Sequence, residues 1–155
     1  MVRLLCLRDL YFLDYPSAEM TRKKPLSHPC PCGSDRPFDD CCGPIIAGQR
    51  PAPSAEALMR SRYSAFALGD DAWLLASWHP STRPDTLVSE DQAPLKWIGL
   101  SVKRHEQTGA DTAIVEFVAR YRANGRAGRL HETSNFRCEN GEWLYVDGEL
   151  HSADR

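Results

Sequence analysis

The sequence predicts an α+β protein in which two main helices pack on one face of a bent four-stranded antiparallel sheet, preceded by a small cysteine-rich knuckle. Three observations carry this. The apolar period is helical from Ala55 to Trp78 and alternating from Leu95 onward. Turn dipeptides at Thr108-Gly109, Asn124-Gly125 and Asn140-Gly141 cut the alternating part into four segments with short connections. Four cysteines, Cys30, Cys32, Cys41 and Cys42, fall within thirteen residues ahead of both parts.

The knuckle spans residues 25–48. Cys-x-Cys, eight residues, then Cys-Cys can return both ends to one ion through the tight Gly33-Ser34 turn, and zinc takes four such ligands tetrahedrally. A pair of disulfides is one alternative, although neighbours such as Cys41 and Cys42 rarely bridge each other. His28 in place of one thiolate is another. Four thiolates and a divalent ion leave net charge −2, to which the knuckle adds Asp35, Asp39 and Asp40 against Arg36 alone. A phosphate backbone would be repelled, so a nucleic-acid role is not favoured.

Gly43 to Pro53, with two glycines and three prolines, reads as connecting chain, its linker proper at 49–53. Ser54 caps a helix over Ala55 to Leu68 that Gly69-Asp70 ends. Ala55, Leu58, Met59, Arg62, Tyr63 and Phe66 share one face, so Arg62 falls inside the apolar stripe. A second helix, Asp71 to Trp78, stops at His79-Pro80. Residues 80–94 form an irregular crossing with a short turn at Val88 to Asp91. Strands follow at about Lys96 to Glu106, Thr112 to Ala123, Arg126 to Cys138 and Glu142 to Glu149, and residues 151–155 are a tail.

Residues 1–24 form an N-terminal extension. Its first nineteen residues are mildly apolar but broken by Arg3, Arg8, Asp9 and Asp14, without the run or cleavage site of a signal peptide. Met20 before Thr21-Arg22-Lys23-Lys24 looks like a more natural beginning, so 1–19 is expected to be an over-called start or a loose arm. The chain of 155 residues balances 19 basic against 21 acidic side chains, which points to neither a nucleic-acid coat nor a membrane surface. With no stretch long enough to span a bilayer, and with thiols suited to a reducing compartment, a cytoplasmic location is expected.

Cys30-x-Cys32-Gly-Ser, the aromatic Phe38 and Cys41-Cys42-Gly43 resemble the SEC-C motif, a zinc knuckle also found at the C-terminus of the SecA translocation ATPase. The SecA version is mostly basic between its cysteine pairs, and this one is acidic. Ala57-Leu58-Met59-Arg60-Ser61-Arg62-Tyr63-Ser64-Ala65-Phe66, Trp78-His79-Pro80, Leu130-His131-Glu132 and Trp143-Leu144-Tyr145-Val146-Asp147-Gly148 resemble the YchJ-like bacterial family over roughly 28–150. That resemblance implies a cone-shaped domain of the nuclear-transport-factor-like, cystatin-like class over residues 54–150. It implies no reaction, although cones of this class often bind ligands in their mouths.

Alternation sorts the strand side chains. Ala113, Val115, Phe117, Ala119 and Tyr121 share one face with Leu130, Glu132, Ser134, Phe136 and Cys138 and with Trp143, Tyr145 and Asp147. This is the helix-covered side, and Glu132 within it calls for a partner, for which Arg62 is the obvious choice. The pair is either a buried ion pair or part of a pocket lined by Arg62, Tyr63, Tyr121, Glu132, Ser134, Tyr145 and Asp147. His79 and His131 read as structural, and Cys6 and Cys138 as free thiols.

The other face carries Ile114, Val118, Leu144 and Val146 and is too apolar to stand bare. Either the knuckle covers it or two copies pair through it as a homodimer. Arg120, Arg122, Arg126 and Arg129 at one hairpin tip read as solvated charge. The function read from the sequence is that of a zinc-binding protein acting as a protein-binding or adaptor module, with a protein partner in secretion, chaperone or translation machinery. The alternative is a small-molecule-binding protein or enzyme using the cone, with Glu132 and Asp147 as polar groups.

Overall fold

The computed structural model describes residues 27–87 and 94–152. The N-terminal extension, Cys6, the turn at Val88 to Asp91 and the last residues of the tail lie outside them. Three helices, α1 (Gly43–Ile46), α2 (Ala55–Leu68) and α3 (Asp71–Ala76), precede four strands, β1 (Lys96–Gln107), β2 (Thr112–Ala123), β3 (Arg126–Glu139) and β4 (Glu142–Leu150). The strands form one antiparallel sheet in sequential order.

Local chemistry sets the boundaries. Ser54 Oγ accepts from the Ala57 N–H at 3.1 Å, and α2 ends on Gly69 in the left-handed region (φ 72°). Asp70 caps α3 by accepting from Trp73 N at 3.0 Å. The helix stops at Ala76, two residues before the expected Trp78, because the backbone is taken over by the sheet. Tyr145 N donates to the Ser77 carbonyl, and His79 N donates to the Tyr145 carbonyl at 2.7 Å. The two Asn-Gly pairs take positive φ at both residues, matching the right-handed twist of their hairpins. The first hairpin is looser, with the N–H groups of Thr108 and Gly109 both directed at the Thr112 carbonyl.

Two expectations about regular structure need correction. The segment after the cysteines opens with α1, since Pro44 suits a first helical turn and Ile45 is buried in the core. Strict alternation also fails at three register shifts, after Trp97, after Val102 and beside Asn135 and Phe136. Each bulge adds one residue to one strand and turns the later side chains to the other face.

The core is continuous from knuckle to sheet. The four cysteines and Ile45 pack with Leu58, Met59 and Tyr63 of α2 and with Val115, Phe117 and Phe136 of the sheet. The knuckle therefore sits against α2 and the edge strand β1, where Gly33 lies beside the Leu100 carbonyl. On the opposite sheet face Val118 is buried and Ile114, Leu144 and Val146 are half-buried within the single chain, so that face needs less cover than its composition implied.

Candidate functional site

The cysteine cluster is built by two short turns returning to one point. The Cys30 N–H donates to the Arg36 carbonyl at 2.8 Å, and the Cys41 N–H to the Phe38 carbonyl at 3.1 Å, which brings both pairs together. All four Sγ atoms lie within 4.8 Å of one another and all four residues are buried. Cys32 and Cys41 Sγ are 3.6 Å apart and Cys41 and Cys42 Sγ 3.9 Å. A tetrahedral ion with sulfur bonds of about 2.3 Å has edges of about 3.8 Å, so the donor set fits a metal of that size. It does not fit disulfides, whose sulfurs lie about 2.05 Å apart, and the cysteines are free. His28 is exposed and outside the cluster.

The thiols hold one another in unequal states. Hydrogen bonds from Cys32 and Cys42 draw Cys30 well below the usual thiol range, and the same bonds push Cys32 and Cys42 up. Only a cation lets all four ionise together. The shell beyond the sulfurs comes from the helical domain: Ser64 Oγ stands 3.6 Å from Cys30 Sγ, and Arg60 Nη1 donates to the Cys32 carbonyl at 3.0 Å. Arg50 Nη2 donates to the Cys41 carbonyl at 3.0 Å, and Arg36 Nη2 to that of Asp40.

A cavity of about 790 Å³ opens between α2 and the concave face of the sheet. Met59, Phe117 and Leu130 form its apolar floor, and Phe66 and Trp97 pack together at 5.8 Å between ring centres on one side. Arg62 is buried at 4 % exposure among these groups. Its Nη1 donates to the Leu74 carbonyl at 2.7 Å and to Ser77 Oγ at 2.6 Å, while its guanidinium carbon lies 4.4 Å from the Tyr145 ring centre and 5.1 Å from that of Trp78. Burial lowers its pKa to about 10, opposed by Tyr145 and Glu132 acting through space.

Glu132 is held differently from the expected ion pair. Its Oε1 accepts from Ser134 Oγ at 2.7 Å and from the Tyr145 hydroxyl at 3.1 Å, and no ion pair joins it to Arg62. The guanidinium has turned instead to the carbonyl and hydroxyl at the end of α3, acceptors that the sequence could not place because they belong to another element. Burial pushes the Tyr145 hydroxyl up, reinforced by the Glu132 charge, so it stays a donor. Gly148, which pairs with Ser134 and lies diagonal to Glu132 in the sheet, has no side chain and so leaves room for the carboxylate.

Of the predicted lining, Arg62, Tyr63, Glu132, Ser134 and Tyr145 come together. Burial raises the Tyr63 pKa, with a backbone hydrogen bond at Gly99 acting against it. Tyr121 does not reach the cavity: it lies edge-on to Trp97 at 5.7 Å, with its ring over Gly128. Asp147 leaves the lining altogether. The bulge at Val146 pairs Asp147 with Asn135, whose Nδ2 donates to it at 2.7 Å, on the exposed face. Trp97 and Trp78 also line the cavity, Trp97 from a strand position paired with Tyr121.

His79 and His131 each meet a carboxylate away from the cavity. His79 contacts Ser81 Oγ at 2.6 Å and Glu139 at 3.0 Å, tying the exit of α3 to the end of β3. His131 Nε2 meets Glu116 Oε1 at 2.8 Å on the outer face and stacks on His151 at 4.0 Å between ring centres. The His131 hydrogen bond lowers the Glu116 pKa.

Comparison with known proteins agrees with this geometry. Residues 28–44 match the SEC-C motif, and residues 54–148 match the family described as YchJ, middle NTF2-like domain. The chain is 52% identical over 128 residues to a UPF0225 protein of Cupriavidus metallidurans, covering 79% of this chain and 89% of the relative. It is 51% identical over 144 residues to a UPF0225 protein of Ralstonia nicotianae, covering 84% and 99%. The solution structure of a SEC-C motif containing protein from Rhodopseudomonas palustris superposes with a TM-score of 0.71 at 36% identity, covering 81% of this chain and 100% of that one. Among the described residues, no helix is long and apolar enough to cross a membrane.

Proposed function

This chain belongs to the UPF0225 family of SEC-C motif proteins with a YchJ-type NTF2-like domain, and we propose, on the geometry of its two sites, that it is a zinc-stapled, small-molecule-binding protein of the cytoplasm. The observation that carries the reading is the cavity of about 790 Å³ in which a buried arginine and a hydrogen-bonded carboxylate stand among aromatic walls. Its volume lies within the range of small-molecule sites, which combine apolar walls with a few placed polar groups. Ser134 and Tyr145 orient Glu132, and Ser77 and the Leu74 carbonyl orient Arg62.

Zinc is the ion we assign to Cys30, Cys32, Cys41 and Cys42, because four thiolates in a closed tetrahedral set are its structural chemistry. When bound, it supplies a fixed crosslink between the two turns of the knuckle. Such a set leaves no open position for a substrate, so we assign the ion to stability.

The adaptor reading has one observation in its favour. A groove of about 360 Å³ beside the knuckle is lined by Pro29, Pro31 and Phe38 and by Leu68, which is 56% exposed. A protein partner could dock there. Thermal-shift screening of small-molecule sets against the full chain and Leu130→Trp, which fills the cavity, tests the choice. Compounds that raise the wild-type melting temperature are expected to lose their effect in the variant. Absence of any stabilising compound, together with a co-purifying protein that Cys41→Ser loses and Leu130→Trp keeps, would overturn the cavity reading in favour of the adaptor.

A further inference from the structure

The donors of Arg62 carry the argument further, resting on the cavity reading above. Nη1 is spent on the Leu74 carbonyl and Ser77 Oγ. Neither bond uses Nε or Nη2. Among the described residues no side-chain nitrogen or oxygen sealed from solvent lacks a partner, so Nε and Nη2 keep access to solvent, and the cavity is the open space that Arg62 lines. These two nitrogens are one edge of the guanidinium plane, the edge that grips both oxygens of a carboxylate in a bidentate pair.

That edge is fixed. The Trp78 and Tyr145 rings, 4.9 Å apart, lie together against the guanidinium at 5.1 and 4.4 Å, and the carbonyl at the end of α3 anchors one of its corners. The cation meets no carboxylate in an ion pair among the described residues; Glu132 acts on it only through space, and burial disfavours its charge. A buried cation held in one orientation with a free bidentate edge is a site for an anion. Around it stand Tyr63, Phe66, Trp97 and Phe117, which suit a planar ring. Glu132 Oε1 is anchored by Ser134 and Tyr145, and these bonds leave Oε2 to accept a donor from a ligand.

The geometry points to a small aromatic monocarboxylate with a ring hydroxyl or N–H as the ligand, its carboxylate on Arg62 Nε and Nη2 and its donor directed to Glu132. No covalent step is involved.

Isothermal titration of the full zinc-loaded chain with 4-hydroxybenzoate, and with its neutral counterpart 4-hydroxybenzamide, tests the assignment. The acid is expected to bind about 10- to 100-fold more tightly than the amide, the range a charge-assisted hydrogen-bonded pair supplies. Arg62→Met should remove that preference, and Arg62→Lys should retain part of it. The acid–amide comparison in the wild type requires no variant, so a failure of Arg62→Met to fold leaves the test intact. Equal binding of acid and amide in the wild type, or an acid preference that survives Arg62→Met, overturns the ligand class. If neither probe binds while other compounds bind in a Leu130→Trp-sensitive way, the ligand class fails and the cavity reading stands. If no compound of any class does so, both fail.

Discussion

At Gly148 a single added methyl group would fall well inside van der Waals contact distance of Glu132 Oε1 and of its carboxyl carbon. The glycine is required by a neighbour across the sheet and not by its own backbone. Gly148→Ala is expected to cost about 1–3 kcal/mol of stability, the range for overpacking a filled site, and to displace Glu132 from Tyr145. Urea unfolding with a nuclear magnetic resonance titration of Glu132 checks this, and an unchanged midpoint would mean that the carboxylate swings aside freely. The phrase from Trp143 to Gly148 was visible in the sequence, but its meaning was not. Alternation counted Asp147 inward beside Tyr145, whereas the bulge at Val146 sends it out to Asn135. Bulges leave little mark on side-chain periodicity, so residue types alone placed the wrong carboxylate in the pocket alongside the right one.

Helix α2 joins the two sites. One side presents Arg62, Tyr63 and Phe66 to the cavity, while Ser64 meets Cys30 and Arg60 holds the Cys32 carbonyl. Five consecutive residues, Ser61 to Ala65, are buried, so the element is covered nearly all round at its middle. Its start depends on Ser54, and Ser54→Ala is expected to lose about 1 kcal/mol. Thermal denaturation measures it; no loss would show that packing alone fixes the first turn. The bounds of α2 were legible because cap, helix formers and terminal glycine all act within a few residues. The end of α3 was not, since the chain leaves that helix to pair Ser77 and His79 with Tyr145, distant in sequence. The serine burial was equally hidden: Trp73 Nε1 donates to Ser61 Oγ at 3.1 Å, a contact between helices that makes a polar side chain acceptable inside.

For the molecule as a whole, knuckle and helical domain share one core, so the proposed zinc is a crosslink for more than its own turns. Chelation of the loaded protein is expected to lower stability by more than about 3 kcal/mol, given the roughly 10–16 kcal/mol of zinc binding in small isolated folds. It is also expected to weaken cavity binding through α2. Metal analysis with calorimetric melting checks this: one ion per chain and a lower transition after chelation support it, and an unchanged transition refutes it. By itself the sequence determined the α+β class, the four strands and the cysteine cluster, because each follows from periodicity, turn chemistry or spacing over short distances. The tertiary structure decided which buried charges face the cavity, where the knuckle docks and which carboxylate turns outward. Those outcomes depend on bulges and on hydrogen bonds between elements far apart in the chain, and a buried polar atom takes whichever partner the assembled fold brings within reach.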